Sequence, residues 1–296
     1  MRILVTGASG LIGSDLVRRA ADGQEILRLT RAEPREAGTF RWDPGTGKME
    51  PAALEGVDAI VHLAGESVAG RWTAEKKRRI RDSRVLGTRF IAEAAAARDP
   101  APQVIVCASA IGYYGDRGDD PLTEASAPGD GFLAGVVQEW ERAADPARDA
   151  GIRVVHLRFG IVQSRAGGAL RAQLPLFRLG LGGRVGRGRQ YVSWVALGDV
   201  VRAIDHALGS ETLSGPANVT APEPVTNADY AHTLGRVLRR PAILPAPAPA
   251  VKLVLGEFAN ELLWSRRAIP DRLQKDGFEF RHPQLEPALR HVLGRD

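Results

Sequence analysis

Short continuous apolar runs alternate along this chain with longer stretches in which apolar residues return every three or four positions. The runs at 3–6 (ILVT), 25–30 (EILRLT), 58–64 (DAIVHLA), 103–109 (QVIVCAS) and 153–159 (RVVHLRF) have the length and β-branched content of buried strands. Helical spacing marks 11–21, the basic stretch around 76–95, 132–148 and 197–208. Strands alternating with helices predict βαβ units, a parallel sheet and right-handed crossovers. The pattern therefore reads as an α/β, Rossmann-like doubly wound fold, not a sandwich or a bundle.

After Phe159 the texture changes. Gly167, Gly168, Gly180, Gly182, Gly183, Gly186 and Gly188 interrupt the pattern, with Arg165, Arg171, Arg178, Arg184, Arg187 and Arg189 between them. Such a basic loop suits either an anionic ligand or a solvated insertion. Asn218-Val219-Thr220 reads as a last short strand, and a helix is expected from Thr226-Asn227, whose side chains can cap free N–H groups. Pro241, Pro245, Pro247 and Pro249 predict a stiff connection into a helix over 251–263, where Val251, Leu255, Phe258 and Leu262 repeat as a core-facing stripe. The layout expected is a Rossmann domain of 1–160 plus 190–221, and a C-terminal substrate lobe of 161–189 plus 222–296.

With 296 residues, 44% of them hydrophobic, the chain can bury a large core as one large domain or two modest ones. No apolar stretch approaches the roughly 20 residues of a membrane span, and the opening MRILVTG lacks the features of a secretory signal. The chain is thus expected to begin at or near Met1. A single cysteine, Cys107, agrees with a cytoplasmic location and, within an apolar run, reads as a small buried hydrophobe. The net charge of +5 is mostly arginine. Lys76-Lys77-Arg78-Arg79 with Arg81 and Arg84 is read as the solvated face of an amphipathic helix, which argues against nucleic acid as a partner. Histidines and carboxylates show no metal-ligand spacing, and His62, His156 and His206 read as structural.

Thr6-Gly7-Ala8-Ser9-Gly10-Leu11-Ile12-Gly13 follows the first strand and opens the first helix. A chain bending there exposes unpaired N–H groups, from Ser9 to Gly13, which with the helix dipole favour a pyrophosphate. Gly7 suits the tight turn, Gly10 lets backbone approach phosphate, and Gly13 lets helix pack near strand. At the end of the second strand, where an acidic residue would hold the ribose of NAD, stands Arg31 with Arg35 nearby. Arg31 favours the additional phosphate of NADP, and Glu33 leaves NAD open.

TGASGLIG, HLAG at 62–65 and SAIGYYG at 109–115 together resemble the extended short-chain dehydrogenase/reductase superfamily. More narrowly, 186–204 (GRGRQYVSWVALGDVVRAI) and 256–280 (GEFANELLWSRRAIPDRLQKDGFEF) are similar to the bacterial NAD-dependent epimerase/dehydratase-like family of SDR39U type. The resemblance implies that Leu63, Ala64 and Gly65 line the adenosine and ribose side, and that Phe159, Gly160 and Ile161 border the nicotinamide. It also implies that Ser109 hydrogen-bonds a substrate carbonyl or hydroxyl. The Tyr-x-x-x-Lys pair usual in that superfamily is absent, with Leu133 and Val137 at the corresponding positions. Tyr113 is then the candidate phenol for proton exchange and Tyr114 a candidate substrate contact, each equally readable as structural. Gln190, Ser193 and Trp194 are further candidate substrate contacts, Trp194 alternatively packing the lobe against the sheet. The expectation is an NADP(H)-dependent oxidoreductase or nucleotide-sugar-epimerase-like enzyme with a small-molecule substrate, or a non-catalytic dinucleotide-binding sensor. No membrane partner is expected, and a homodimer is left open.

Overall fold

The computed structural model describes residues 1–295. Its centre is an eight-stranded sheet of β1 (Arg2–Thr6), β2 (Glu25–Thr30), β3 (Thr39–Asp43), β4 (Lys48–Met49), β5 (Ala59–His62), β6 (Val104–Ala110), β7 (Arg153–Phe159) and β8 (Gly215–Val219). The order is β8-β7-β6-β5-β1-β2-β3-β4, all neighbours parallel except the terminal β3–β4 pair. Strand order reverses between β1 and β5, and at such a switch point an open α/β sheet leaves its ligand crevice.

The strands are continuous apolar runs because both faces are covered. On one face Ile3, Val5, Val61, Val106 and Val155 pack with Leu16 of α1 (Leu11–Arg18) and with Val200, Val201 and Ile204 of the helix Leu197–Gly209. On the other, Leu4, Ile60, Ile105 and Cys107 pack against Ile91, Ala92 and Ala95 of the long helix Ala74–Ala96 and against Ala144 and Ala147. Cys107 is a buried thiol that desolvation pushes up to about 12, the inert hydrophobe that its apolar run suggests.

The edge hairpin of β3 and β4 is absent from the sequence reading. Its strands are short and its outer side is wet, with Trp42 alone fully buried, so the hydrophobic signal is weak. The helix expected over 132–148 is two helices, Phe132–Arg142 and Asp145–Asp149, the second opening on Pro146, whose missing N–H is tolerated in a first turn. The helix expected over 251–263 is also broken. Ala248–Leu255 ends at Gly256 with φ 61°, followed by single turns at Gly256–Ala259 and Asn260–Leu263. None of Ala248–Leu255 is buried, so Val251 and Leu255 do not form the expected core stripe.

A smaller core joins Leu170, Leu174 and Phe177 of Gly168–Arg178 with Trp194, Tyr230, Leu234 and Leu289. The C-terminal residues are not confined to this lobe, because Leu273 and Phe278 enter the core of the main sheet beside Ala217 and Val219 of β8.

Candidate functional site

The turn between β1 and α1 is shaped by its glycines. Gly7 has φ 69°, and a Cβ there would lie 2.8 Å from the Leu63 carbonyl carbon; a Cβ on Gly13 would collide with the Gly7 carbonyl. The Gly10 amide donates to the Gly7 carbonyl at 2.9 Å, and Gly10 opens α1 without any side-chain cap. The first-turn amides therefore remain available to an anion, and the cradle fits the pyrophosphate of a dinucleotide.

Thr6 ties this turn to the end of β5. Its hydroxyl oxygen accepts from the amides of Leu63 and Ala64, both at 3.1 Å, and lies 2.8 Å from His62 Nδ1. The hydroxyl and Nδ1 share one hydrogen bond, and Nε2 is buried without a partner among the described residues. Desolvation lowers the His62 pKa to about 4, so the ring is a neutral strut at neutral pH.

From this turn a cleft of about 1350 Å³ runs over the ends of β1 and β2, lined by Gly7, Ser9, Gly10, Arg31, Leu63, Ala64 and Gly65. Arg35, Arg78 and Arg79 line it as well. Among the described residues Arg31, Arg35 and Arg78 form no ion pair, whereas Glu33 is held by Arg41 and Glu36 by Arg28. The basic stretch of Ala74–Ala96 is accordingly not a plain solvated face. Lys76 reaches Glu66 at 2.7 Å, Lys77 pairs with Glu257, Arg79 with Glu75, and Arg81 reaches Glu139 at 2.6 Å. Arg84 is half-buried, and desolvation pushes its pKa down to about 10 against the opposing pull of the Glu66 carboxylate. The run forms one wall of the cleft, a placement that helical periodicity cannot show.

Leu11 and Ile12 point away from the cleft, Leu11 against Gly167 and Gly168 and Ile12 into the main core; only their backbone serves the turn. Gly160 leaves no room for a Cβ, which would lie 2.5 Å from the Ser193 carbonyl oxygen and 2.9 Å from a Thr220 methyl, so close packing already accounts for the glycine. Ile161 packs on the lobe core, while Phe159 meets Leu63, Ala110 and Tyr113 around Val137 and Trp140.

Ser109 does not present its hydroxyl to this apolar group. It is buried and donates at 2.7 Å to Glu141, which holds Arg158 through bonds of 2.8 and 2.7 Å. Burial would raise the Glu141 pKa, but the Arg158 guanidinium outweighs it and holds the carboxylate ionised. Arg158 also donates at 3.0 Å to the Tyr114 hydroxyl, which donates at 2.8 Å to Asn218. Tyr114 is fully buried, with burial pushing its phenol up to about 12, so the expected substrate contact is a core residue. Tyr113 remains half-buried, with the Arg158 guanidinium carbon 3.5 Å from its ring centre. Leu133 and Val137 are buried and apolar.

The other expected substrate contacts are tethers to backbone groups of the lobe. Gln190 donates to the carbonyls of Val185 and Leu262, both at 3.0 Å. Ser193 donates to the Arg266 carbonyl at 2.8 Å and accepts from the Ala268 amide at 2.9 Å. Trp194 is fully buried, its indole N–H on the Glu223 carbonyl. Sequence reading missed Glu141, Arg158 and the cleft-facing Arg78. An arginine inside the otherwise apolar run 153–159 was the available signal, since a buried charge requires a partner. Among the described residues there is no group of three metal-ligating side chains and no helix long and apolar enough to cross a membrane.

A mostly parallel sheet with a glycine turn at its switch point and a cleft across its strand ends defines a Rossmann-like dinucleotide-binding protein. Residues 3–219 match the NAD dependent epimerase/dehydratase family, and the chain belongs to that family. Residues 246–292 match a domain of unknown function, DUF1731. Epimerase family protein Mb2239 of Mycobacterium bovis is 44% identical over 99% of this chain and 98% of its own. The chloroplastic SDR39U1 homolog of Arabidopsis thaliana is 36% identical, over 99% of this chain and 87% of its own. The crystal structure of human epimerase family protein SDR39U1 with NADPH superposes with a TM-score of 0.92 at 34% identity, covering 99% of each chain.

Proposed function

We propose that this protein is an NADP(H)-dependent oxidoreductase or nucleotide-sugar-epimerase-like enzyme acting on a small carbonyl or hydroxyl substrate. The observation that carries the reading is the set of cleft-lining arginines without ion-pair partners among the described residues, Arg31 and Arg35 after β2 and Arg78 on the helix Ala74–Ala96, with Glu33 taken by Arg41. An adenosine 2'-phosphate supplies the anion that this set lacks. NADPH in the human relative supports the same choice, and NAD would bind more weakly.

The amides of the Gly7–Gly13 turn would hold the pyrophosphate, and Leu63, Ala64 and Gly65 would flank the ribose. A bound nicotinamide supplies hydride exchange with substrate carbon. Tyr113 is assigned the proton exchange with substrate oxygen, its ring held by the Arg158 guanidinium. Ser109 then acts at one remove, by fixing Glu141 and through it Arg158. Inert Leu133 and Val137 favour a second reading, a dinucleotide sensor without turnover.

Titration of wild type and Arg31→Ala with NADPH and NADH tests the cofactor assignment. Wild type is expected to prefer NADPH, and the substitution to weaken NADPH by about 10- to 100-fold while barely changing NADH. Equal affinities in wild type would remove the assignment. A carbonyl-substrate screen followed by NADPH absorbance separates enzyme from sensor: turnover abolished in Tyr113→Phe supports the enzyme, and tight binding without turnover of any substrate supports the sensor.

A further inference from the structure

The basic loop after Phe159, which the sequence leaves open between an anionic ligand and a solvated insertion, contributes no side chain to the dinucleotide cleft. Its second half is built instead against the segment that follows Pro241. The Ala246 amide donates to the Arg184 carbonyl at 2.8 Å, the Gly186 amide to the Ala246 carbonyl at 2.8 Å, and the Leu244 amide to the Gly182 carbonyl at 3.3 Å. Gly183 lies so close to the Leu244 backbone that a Cβ there would collide with it. The two segments form a ribbon, backbone against backbone.

This ribbon turns large apolar side chains outward. Leu176, Leu179, Leu181, Ile243 and Leu244 are all exposed, Leu179 by 72% and Ile243 by 75%. The helix Ala248–Leu255 leaves from its end and adds Leu253 and Val254. Seven of the nine large hydrophobic residues exposed among the described residues thus fall in these two stretches. Apolar residues scattered singly over a surface need no explanation, whereas their concentration on one part of it does.

Cations are interleaved with these side chains, and anions are missing. From 150 to 198, and again from 230 to 256, the chain has no aspartate or glutamate. Arg178, Arg184, Arg187, Arg239, Arg240 and Lys252 are exposed and form no ion pair among the described residues; Arg236, the exception nearby, reaches Glu286 from the C-terminal helix. A second copy docked about a two-fold axis would set this cationic surface against itself, with no carboxylate to balance it. Protruding apolar side chains set among unpaired guanidinium groups match a boundary at which phosphates lie above hydrocarbon. Along the sequence alone this is invisible, because exposed and buried leucines read alike.

We propose that this face docks on the surface of an anionic phospholipid bilayer. The leucines and Ile243 enter the acyl boundary while the guanidinium groups meet the headgroup phosphates. No helix crosses the bilayer in this arrangement, and the dinucleotide cleft, lined by residues between Gly7 and Leu86, is not part of the docking face. The inference stands apart from the cofactor reading.

The test is co-flotation of the whole chain with vesicles of phosphatidylcholine, alone or with a third of the lipid replaced by phosphatidylglycerol. Wild type is expected to float with the anionic vesicles only, and to lose at least about 10-fold in affinity when ionic strength rises from about 0.1 to about 1 M. Leu179→Ser combined with Ile243→Ser should weaken binding by at least about 10-fold. Each of Arg178→Gln and Arg240→Gln should cost about five-fold. An unchanged urea midpoint shows that these variants are folded, and Arg89→Gln, on the helix Ala74–Ala96, controls for net charge. If Arg89→Gln costs as much as Arg178→Gln, attraction is diffuse and the docking face is overturned. Failure to float with either vesicle overturns it as well: salt-sensitive capture of poly-glutamate would then assign the face to an acidic protein, and a dimer dissociated by the Leu179 and Ile243 substitutions would assign it to a second copy.

Discussion

Glu141 accepts from Ser109 and, through both oxygens, from Arg158, so three polar side chains can enter the interior as a satisfied unit. The value of that unit shows when it is broken. Glu141→Ala leaves Arg158, with a side-chain exposure of 3%, without its counter-charge, and is expected to destabilise the protein by about 3–5 kcal/mol. Ser109→Ala removes one bond to a carboxylate that is already paired, and about 1 kcal/mol is expected. Denaturant unfolding of both variants checks the ranking, and equal losses would contradict it. At this scale the sequence displays the residue types but not their pairing. Residues 109, 141 and 158 lie on two strands and a helix, and only packing brings them within hydrogen-bonding distance.

The helix Ala248–Leu255 shows the corresponding limit for elements. Apolar residues at helical spacing announce a helix, but they do not say whether anything covers it, and here Leu253 and Val254 are 78% and 69% exposed. Leu253→Ser is accordingly expected to change unfolding free energy by less than about 0.5 kcal/mol, read from urea midpoints, where a core position would lose several times more. The basic helix errs in the opposite direction: its charges look solvated in one dimension, yet Arg78 lines the cleft and Arg84 is half-buried beside Trp140. In both cases the helix itself is legible, because periodicity is local. Its environment is set by elements far away in the chain.

Across the whole molecule, buried imidazoles couple folding to pH. Desolvation lowers the pKa values of His62 and His156 from 6.5 to about 4. Between those values the unfolded chain binds protons that the folded chain refuses, so stability rises with pH there and is lost as pH falls from about 6.5 towards 4. Each imidazole contributes about 1.4 kcal/mol per pH unit over that window. Urea unfolding across pH 4–7 should show this slope, and His156→Gln should reduce it by about one proton; an unchanged slope would place the uptake elsewhere.

By itself the sequence determined the parallel sheet, the glycine cradle and the absence of the usual tyrosine–lysine pair, because each is written in neighbouring residues through strand runs, turn conformation and motif spacing. Tertiary structure decided which charges are buried, which of the expected contacts are tethers, and that Ser109 faces Glu141 while Arg84 stands behind Gly65. Those outcomes depend on desolvation and on partners distant in sequence, and both arise only when the layers close.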